Sequence, residues 1–356
     1  MSKAVLTLPM MPVDGNNYGK FVTPIICETL SNIFDCDYYH CINILDSFND
    51  RSIMIDGYIS SLNDNSIHYD KLWYDIENVD NLLKNIYYLI KNGYILELDS
   101  IVYRCDCGIV EIEKNKVQTC NPNNLKFNYV GDKLVCKHCG SICKEYQEKI
   151  LAFIPKYVTL QDIHILPSYL SKDIKTYEQT VLNSYTAISR KRDTGISIVY
   201  NGNKYNIDID FLWATYLNTF KEQEKIVVSG NRMIYQLFLV SVLVKCLFPE
   251  NNTILVGTPY ITNIKDILRN SKFINNEKLR KLFIIFNTKW QKKEILYDET
   301  ILTYLNKLSD NKINQLYDII NMPIIETNNF YSNIEQVLKH QFNMQESVKK
   351  LKLERR

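Results

Sequence analysis

The apolar residues of this chain fall first into short unbroken runs and then into helical stripes. Residues 4–10 (AVLTLPM) form such a run, dense enough for a strand buried on both faces. Pro12, Asp14 and Gly15 supply turn chemistry, and a helical pattern follows from about Tyr18 to Ile33. Residues 40–45 (HCINIL) are a second buried run, ending at Asp46. Strand, turn, helix and strand in that order make half of a nucleotide-binding βαβ unit.

Residues 71–92 read as helix, rich in Tyr and apolar positions and stopped by Asn92-Gly93. Between 94 and 151 the character changes: short β-prone runs such as LKFNYV alternate with turn residues and cysteines. Helical spacing returns from Thr159 to Asn183, broken at Pro167. A second α/β half follows, with a strand at 226–229 (IVVS), a turn at Gly230-Asn231, a helix over 232–248 and a buried strand at 253–257 (TILVG). Beyond about residue 274 the pattern is helical to the end, and no short-period repeat is visible. The prediction is an α/β protein on a Rossmann-like parallel sheet. Residues 1–93 form its first half, 94–151 an inserted ribbon, 152–273 the second half and 274–356 a C-terminal helical region.

Composition narrows the function. With 42 Lys plus Arg against 40 Asp plus Glu, the net charge of +2 excludes a globally basic nucleic-acid binder but leaves room for a local basic patch. Only 11 glycines among 356 residues mean that any glycine-rich phosphate loop is short. The longest apolar stretch, Met233 to Phe248, is interrupted by Tyr235, Gln236, Ser241 and Lys245 and is too short to span a bilayer comfortably. Met1 to Met11 is too short for a signal peptide, and Pro9 breaks it. The expectation is a soluble, cytoplasmic protein with no membrane partner; its oligomeric state is left open. In a reducing compartment, clustered cysteines point to metal rather than to disulfides.

Two such clusters exist. Cys105-Asp106-Cys107-Gly108 and Cys136-Lys137-His138-Cys139-Gly140 are knuckles in which the second cysteine precedes glycine. A knuckle turns backbone N–H groups toward thiolate, and glycine permits that turn. Four thiolates then close a tetrahedral Zn²⁺ site, and a closed site is structural rather than catalytic. The first pair is C-x-C rather than C-x-x-C, so Cys143, Cys120 or His138 stay open as replacements for one ligand. His40, His68, His164 and His340 read as surface or satisfied core residues.

Several separated segments carry the remaining candidate chemistry: LPMMPVDGNNYGKF (8–21), AISRKRDTG (187–195), DFLWATYL (210–217), VVSGNRMIYQ (227–236) and RNSKFINN (269–276). In order and spacing they resemble the signatures of class I aminoacyl-tRNA synthetases of the methionyl, isoleucyl, leucyl and valyl subgroup. Asn17-Tyr18-Gly19-Lys20 stands at the first signature. Ile188-Ser189-Arg190 with Gly195 matches the second, Trp213 the tryptophan segment, Gly230-Asn231-Arg232 the G-x-D turn, and Arg269-Asn270-Ser271-Lys272-Phe273 with Asn276 the last. NILDSF (43–48) is similar to the strand end bearing the family's amino-acid-binding aspartate, and GYILELDSIVYRCDCG (93–108) to the lead-in to its zinc-bearing insert. The resemblance covers roughly residues 4–280 and describes a divergent, truncated catalytic core.

That resemblance implies ATP with Mg²⁺, an amino acid or similar small carboxylate, an aminoacyl-adenylate, and transfer of the acyl group to tRNA or another acceptor. It implies Lys272 with Arg269 as the charges that hold the departing pyrophosphate, and Lys20, where the family uses histidine, as a charge beside the phosphate at the helix start. Asn17, Gly19, Gly230 and Asn231 become the ATP contacts, and Met11, Asp46, Trp213 and Tyr216 the amino-acid pocket. Asp46 fits equally as a turn cap, and Trp213 equally as core packing. The family's two signature histidines are replaced by Asn17 and Lys20, and the acid of the G-x-D turn by Arg232. Those changes keep a second expectation open: a catalytically lapsed paralogue that binds RNA, a nucleotide or a protein.

Overall fold

The computed structural model describes residues 2–12, 21–45, 51–119, 125–192, 195–262, 276–287, 294–296, 298–320 and 330–342. At its centre is a six-stranded parallel sheet. In chain order its strands are β1 (Lys3–Thr7), β2 (Asp37–Ile42), β3 (Lys71–Tyr74), β9 (His164–Leu166), β14 (Glu224–Gly230) and β15 (Asn252–Thr258), arranged β3-β2-β1-β14-β15-β9. Register is set by alternation. In β1, Val5 faces one core while Ala4 and Leu6 face the other; Ile226 and Val228 of β14 oppose Val227 in the same way.

Helices cover both faces. Helix α1 (Val22–Phe34), α2 (Ile55–Asp64) and the later helices α7 (Glu277–Asn287), α8 (Glu299–Asn306), α9 (Asp310–Ile320) and α10 (Phe330–Phe342) contribute to the Val5 side. Helices α3 (Val79–Lys91), α4 (Ser171–Tyr177), α5 (Ile209–Ala214) and α6 (Ile234–Leu247) contribute to the Leu6 side. Helix α6 is apolar nearly all round because it is enclosed nearly all round. The later helices are fastened to α1 by a buried ion pair, Lys281 to Glu28 at 2.7 Å.

Three expectations are corrected. Residues 71–74 are not the first turn of a helix but the edge strand β3, paired with β2 from Tyr39↔Lys71 to Ile42↔Tyr74; the helix begins only at Val79. Residues 159–183 are not one broken helix: Thr159 and Asp162 form a capping box, His164–Leu166 is the opposite edge strand of the sheet, and α4 starts at Ser171. The region after 274 is not wholly helical, since β17 (Glu294–Leu296) pairs with β16 (Tyr260–Thr262).

The insert is a long antiparallel ribbon. Strand β4 (Ile95–Arg104) pairs with β8 (Lys144–Phe153) over ten residues, from Ile95↔Phe153 to Arg104↔Lys144. Strand β5 (Glu111–Glu113) lies beside β4, and the hairpin β6–β7 (Phe127–Val130 and Lys133–Cys136) follows in the chain. Strand β10 (Thr186–Ala187) lies beside β8. A small sheet of β11 (Ser189–Arg190), β13 (Asn203–Ile207) and β12 (Ser197–Tyr200) comes next in the chain before α5.

Candidate active-site crevice and metal centre

The chain leaves β1 for β2 on one side and later returns as β14 on the other. An open parallel sheet has its natural crevice at such a reversal, outside the carboxyl ends of the two strands. Here those ends are Thr7 and Gly230.

Beyond Thr7 the segment stays tied to β2: Met10 N–H donates to Cys41 O at 2.9 Å, and Asn43 N–H donates to Met10 O at 2.9 Å. This holds Met11 at the surface, 45 % exposed. The Thr7 carbonyl accepts the Tyr216 hydroxyl at 3.1 Å, and Tyr216 itself is fully buried. Trp213 is also buried, its indole N–H donating to Asp210 Oδ1 at 3.2 Å. At the start of α1, the Thr23 and Thr258 hydroxyls meet at 3.2 Å, which sets that helix start against the end of β15.

At the end of β14, a Cβ added to Gly230 would meet nothing within 4 Å, so the space beside this backbone is open. Asn231 turns inward and donates to the Tyr169 hydroxyl at 3.1 Å. Burial pushes the Tyr169 phenol up to about 12. Arg232 turns outward and lies over the Tyr260 ring, 3.8 Å from its centroid. Of the residues predicted for this site, Met11, Gly230, Asn231, Trp213 and Tyr216 have these positions. Asn17, Gly19, Lys20, Asp46, Arg269 and Lys272 lie outside the described residues.

Three residues support these positions from behind, and one of them, His40, is the satisfied core histidine that the sequence offered as one of its two readings. Asp75 is fully buried, and its carboxylate accepts N–H groups from Ile44 at 2.8 Å and Leu45 at 3.2 Å, fixing the strand end that leads to Asp46. Burial raises its pKa against those hydrogen bonds. His40 bridges Tyr38 at 2.7 Å through Nδ1 and Tyr58 at 3.0 Å through Nε2, and the Tyr58 hydroxyl reaches the Met10 sulfur at 3.9 Å. Burial drives the His40 pKa down to about 3, so the imidazole is neutral. Gly257 is the third: a Cβ there would sit 2.6 Å from Asn231 Oδ1 and 2.4 Å from Leu170 Cδ1. Only a helix-like stretch hiding an edge strand, and a D after KLWY, hinted at the other two.

The Ile188-Ser189-Arg190 segment joins the insert to the second half. Ser189 Oγ accepts the Leu151 N–H at 2.8 Å, and Arg190 donates to Asp208 Oδ2 at 2.5 Å and to Glu111 O at 2.9 Å. Asp208 in turn caps α5 through Asp210 N–H at 2.9 Å. Burial works to raise the Asp208 pKa, but the Arg190 charge outweighs it and holds the carboxyl below its usual range.

The cysteine knuckles converge. The sulfurs of Cys105, Cys107, Cys136 and Cys139 all lie within 4.8 Å of one another, and this is the metal-type grouping found among the described residues. Cys107 and Cys136 are 3.8 Å apart, close to the edge of a tetrahedron built on Zn–S bonds of about 2.3 Å. Val110 N–H points at Cys105 Sγ at 3.2 Å and His138 N–H at Cys136 Sγ at 3.4 Å. Gly108 and Gly140 both adopt a φ of +71°, which makes the two turns equivalent. Cys143 and His138 are not in the set, and Cys120 lies outside the described residues. Donor chemistry and backbone N–H groups both fit a thiophilic divalent ion.

No family model matches the chain, and no curated protein matches it in sequence. Solved structures do match in fold. Mycobacterium tuberculosis methionyl-tRNA synthetase in complex with methionyl-adenylate superposes with a TM-score of 0.63 at 12 % identity, over 89 % of this chain and 70 % of that one. A second structure of the same synthetase bound by methionyl-adenylate gives 0.62, 12 %, 90 % and 71 %. Its free state gives 0.60, 13 %, 86 % and 66 %. This chain therefore has a class I synthetase-like α/β fold with a zinc-ribbon-like cysteine cluster. No helix among the described residues is long and apolar enough to cross a membrane.

Proposed function

We propose that the protein is a divergent class I synthetase-like ligase that uses ATP–Mg²⁺ to convert an amino acid or similar small carboxylate into an acyl-adenylate, and then passes the acyl group to tRNA or a small amine. The observation that carries this reading is the sheet reversal between β1 and β14. Residues 8–12 run on from the end of β1 and stay tied to β2 at Met10, and β14 ends at the open Gly230.

In this account the Gly230 backbone receives the nucleoside, and Asn231 is fixed by Tyr169 so that the turn keeps its shape. Asn17 and Gly19 offer donors to the phosphates, and Lys20, Arg269 and Lys272 stabilise charge that builds on the leaving pyrophosphate. Met11, Asp46, Trp213 and Tyr216 form the acyl pocket; Asp46 holds the substrate ammonium, while Tyr216 and Trp213 act as its packed floor. The four cysteines hold Zn²⁺, which closes the ribbon tip and takes no part in chemistry.

A second reading is favoured by one feature. Arg232 stands where an acid would accept a ribose hydroxyl, and it is engaged with Tyr260 instead. A lapsed paralogue would keep nucleotide binding and lose adenylation. Calorimetric titration with ATP–Mg²⁺ beside an exchange assay separates the two. Binding with exchange supports the ligase, binding without exchange supports a lapsed nucleotide binder, and absence of both ends the ligase reading and leaves the lapsed form only RNA or protein as its ligand.

A further inference from the structure

A second cleft, remote in its lining from the sheet reversal, opens where the insert meets the β11–β13 strands. Its volume is about 570 Å³, the size of a nucleotide site rather than of a single ion. Its walls come from β8, β11 and β13 and from the run Arg190-Lys191-Arg192, three consecutive cations.

The charges in this wall do not cancel. Glu148 and Glu111 are both engaged by Arg104. Asp208 is taken by Arg190 at 2.5 Å, and Glu97 by Lys149 at 2.7 Å. The Lys191 and Lys204 side chains are exposed and neither ammonium is ion-paired among the described residues, although the Lys191 backbone N–H donates to Glu111 Oε1 at 2.9 Å. Arg104, Lys149, Arg190, Lys191, Arg192 and Lys204 are six cations against the four acids Glu97, Glu111, Glu148 and Asp208, a surplus of two positive charges over a polar cleft. Such a surplus suits a ligand with about two negative charges, the charge of a phosphate monoester near pH 7 or of two successive phosphodiesters. Lysine is a point charge that suits phosphate without demanding bidentate geometry.

We infer that this cleft is a second site that binds phosphate esters of nucleotide size, through Lys191 and Lys204. The ligand is a free nucleotide or a short stretch of single-stranded RNA. The inference rests on the ligase reading only for its purpose, since an acyl acceptor with phosphates would be held here, and the binding is measured without any acyl transfer.

The test uses the full chain and its Lys191→Ala/Lys204→Ala variant, whose two exposed side chains make no ion pair that the fold needs. A labelled single-stranded oligoribonucleotide is titrated by fluorescence anisotropy at several salt concentrations, and AMP by calorimetry. At least one probe should bind the wild type, and the double variant should bind it at least tenfold more weakly. In the RNA arm the slope of log K against log salt should also fall by about 1.4, because each phosphate contact on a single strand contributes about 0.7. Restoration by Lys191→Arg/Lys204→Arg would show that charge is what matters. Binding of RNA identifies a strand and binding of AMP alone a free nucleotide. No binding of either probe overturns the site, and so does unchanged affinity in the alanine variant, which would place any AMP in the sheet crevice. ATP–pyrophosphate exchange should be equal in wild type and variant, so failure here and failure of the ligase reading are told apart.

Discussion

The Asn231 amide oxygen occupies the place where a side chain at residue 257 would begin: a Cβ on Gly257 would lie 2.6 Å from it. The parallel register of β14 and β15, which sets Ser229 opposite Gly257, creates this contact. It lets the turn after β14 tuck its asparagine inward onto Tyr169 while its arginine points out.

Gly257→Ala should therefore destabilise the protein by about 1–3 kcal/mol through overpacking, since both Asn231 and Leu170 must move. Urea unfolding measures the loss, and ATP affinity should fall with it if the Asn231 turn holds the nucleoside. An unchanged midpoint would mean that the two side chains yield freely.

Arg190→Ala should cost about 3 kcal/mol, because it leaves the Asp208 carboxylate without its partner in a mostly buried position. The pH dependence has a definite sign. Asp208 has a depressed folded pKa, so its contribution is present above the unfolded value of about 3.9 and is lost as pH falls through the folded value. Acid unfolding of the wild type should thus steepen below about pH 4, and the variant should lack that component.

His40 gives a second pH window. Its folded pKa of about 3 lies below the unfolded value of about 6.5, so the unfolded chain takes up a proton that the folded one refuses. Stability should drop from pH 6.5 toward pH 3 at about 1.4 kcal/mol per pH unit. His40→Gln should flatten this slope, as denaturant titrations at pH 7, 5.5 and 4.5 would reveal.

Cys136→Ser should remove one mole of zinc per mole of protein and unfold the β6–β7 hairpin, since metal binding and folding of such a ribbon are one equilibrium. Elemental analysis of the purified variant is the check. Full zinc content in that variant would show that the ligand set is wrong.

Much of the architecture was legible where it is local. The buried runs at 4–10, 226–229 and 253–257 appear as central strands because a strand covered on both faces must be apolar throughout. The knuckles were legible because each cysteine pair and its glycine is one turn. Edge strands were not. Lys71–Tyr74 runs straight into a helix with matching apolar spacing, and His164–Leu166 is three residues long, too short to display a period of two. Asp75 and Gly257 were also hidden, since their partners Ile44 and Asn231 are about thirty residues away and meet them only through sheet register. The choice of the four cysteines over Cys143 and His138 needed the relative placement of hairpin and ribbon, which no spacing encodes, and Cys120, the third alternative, lies outside the described residues.

If Lys272 stabilises the departing pyrophosphate, Lys272→Ala should slow adenylation about 10²-fold with little change in amino-acid affinity. Pre-steady-state measurement of adenylate formation reads this directly, and a wild-type rate would remove Lys272 from the mechanism.

Whether this protein forms an acyl-adenylate is read from amino-acid-dependent exchange of radiolabelled pyrophosphate into ATP, run separately with each standard amino acid. The account predicts that one of them, or a very few, drives exchange above the background without amino acid. Background rates for all of them, in a protein that also binds no ATP, would contradict it.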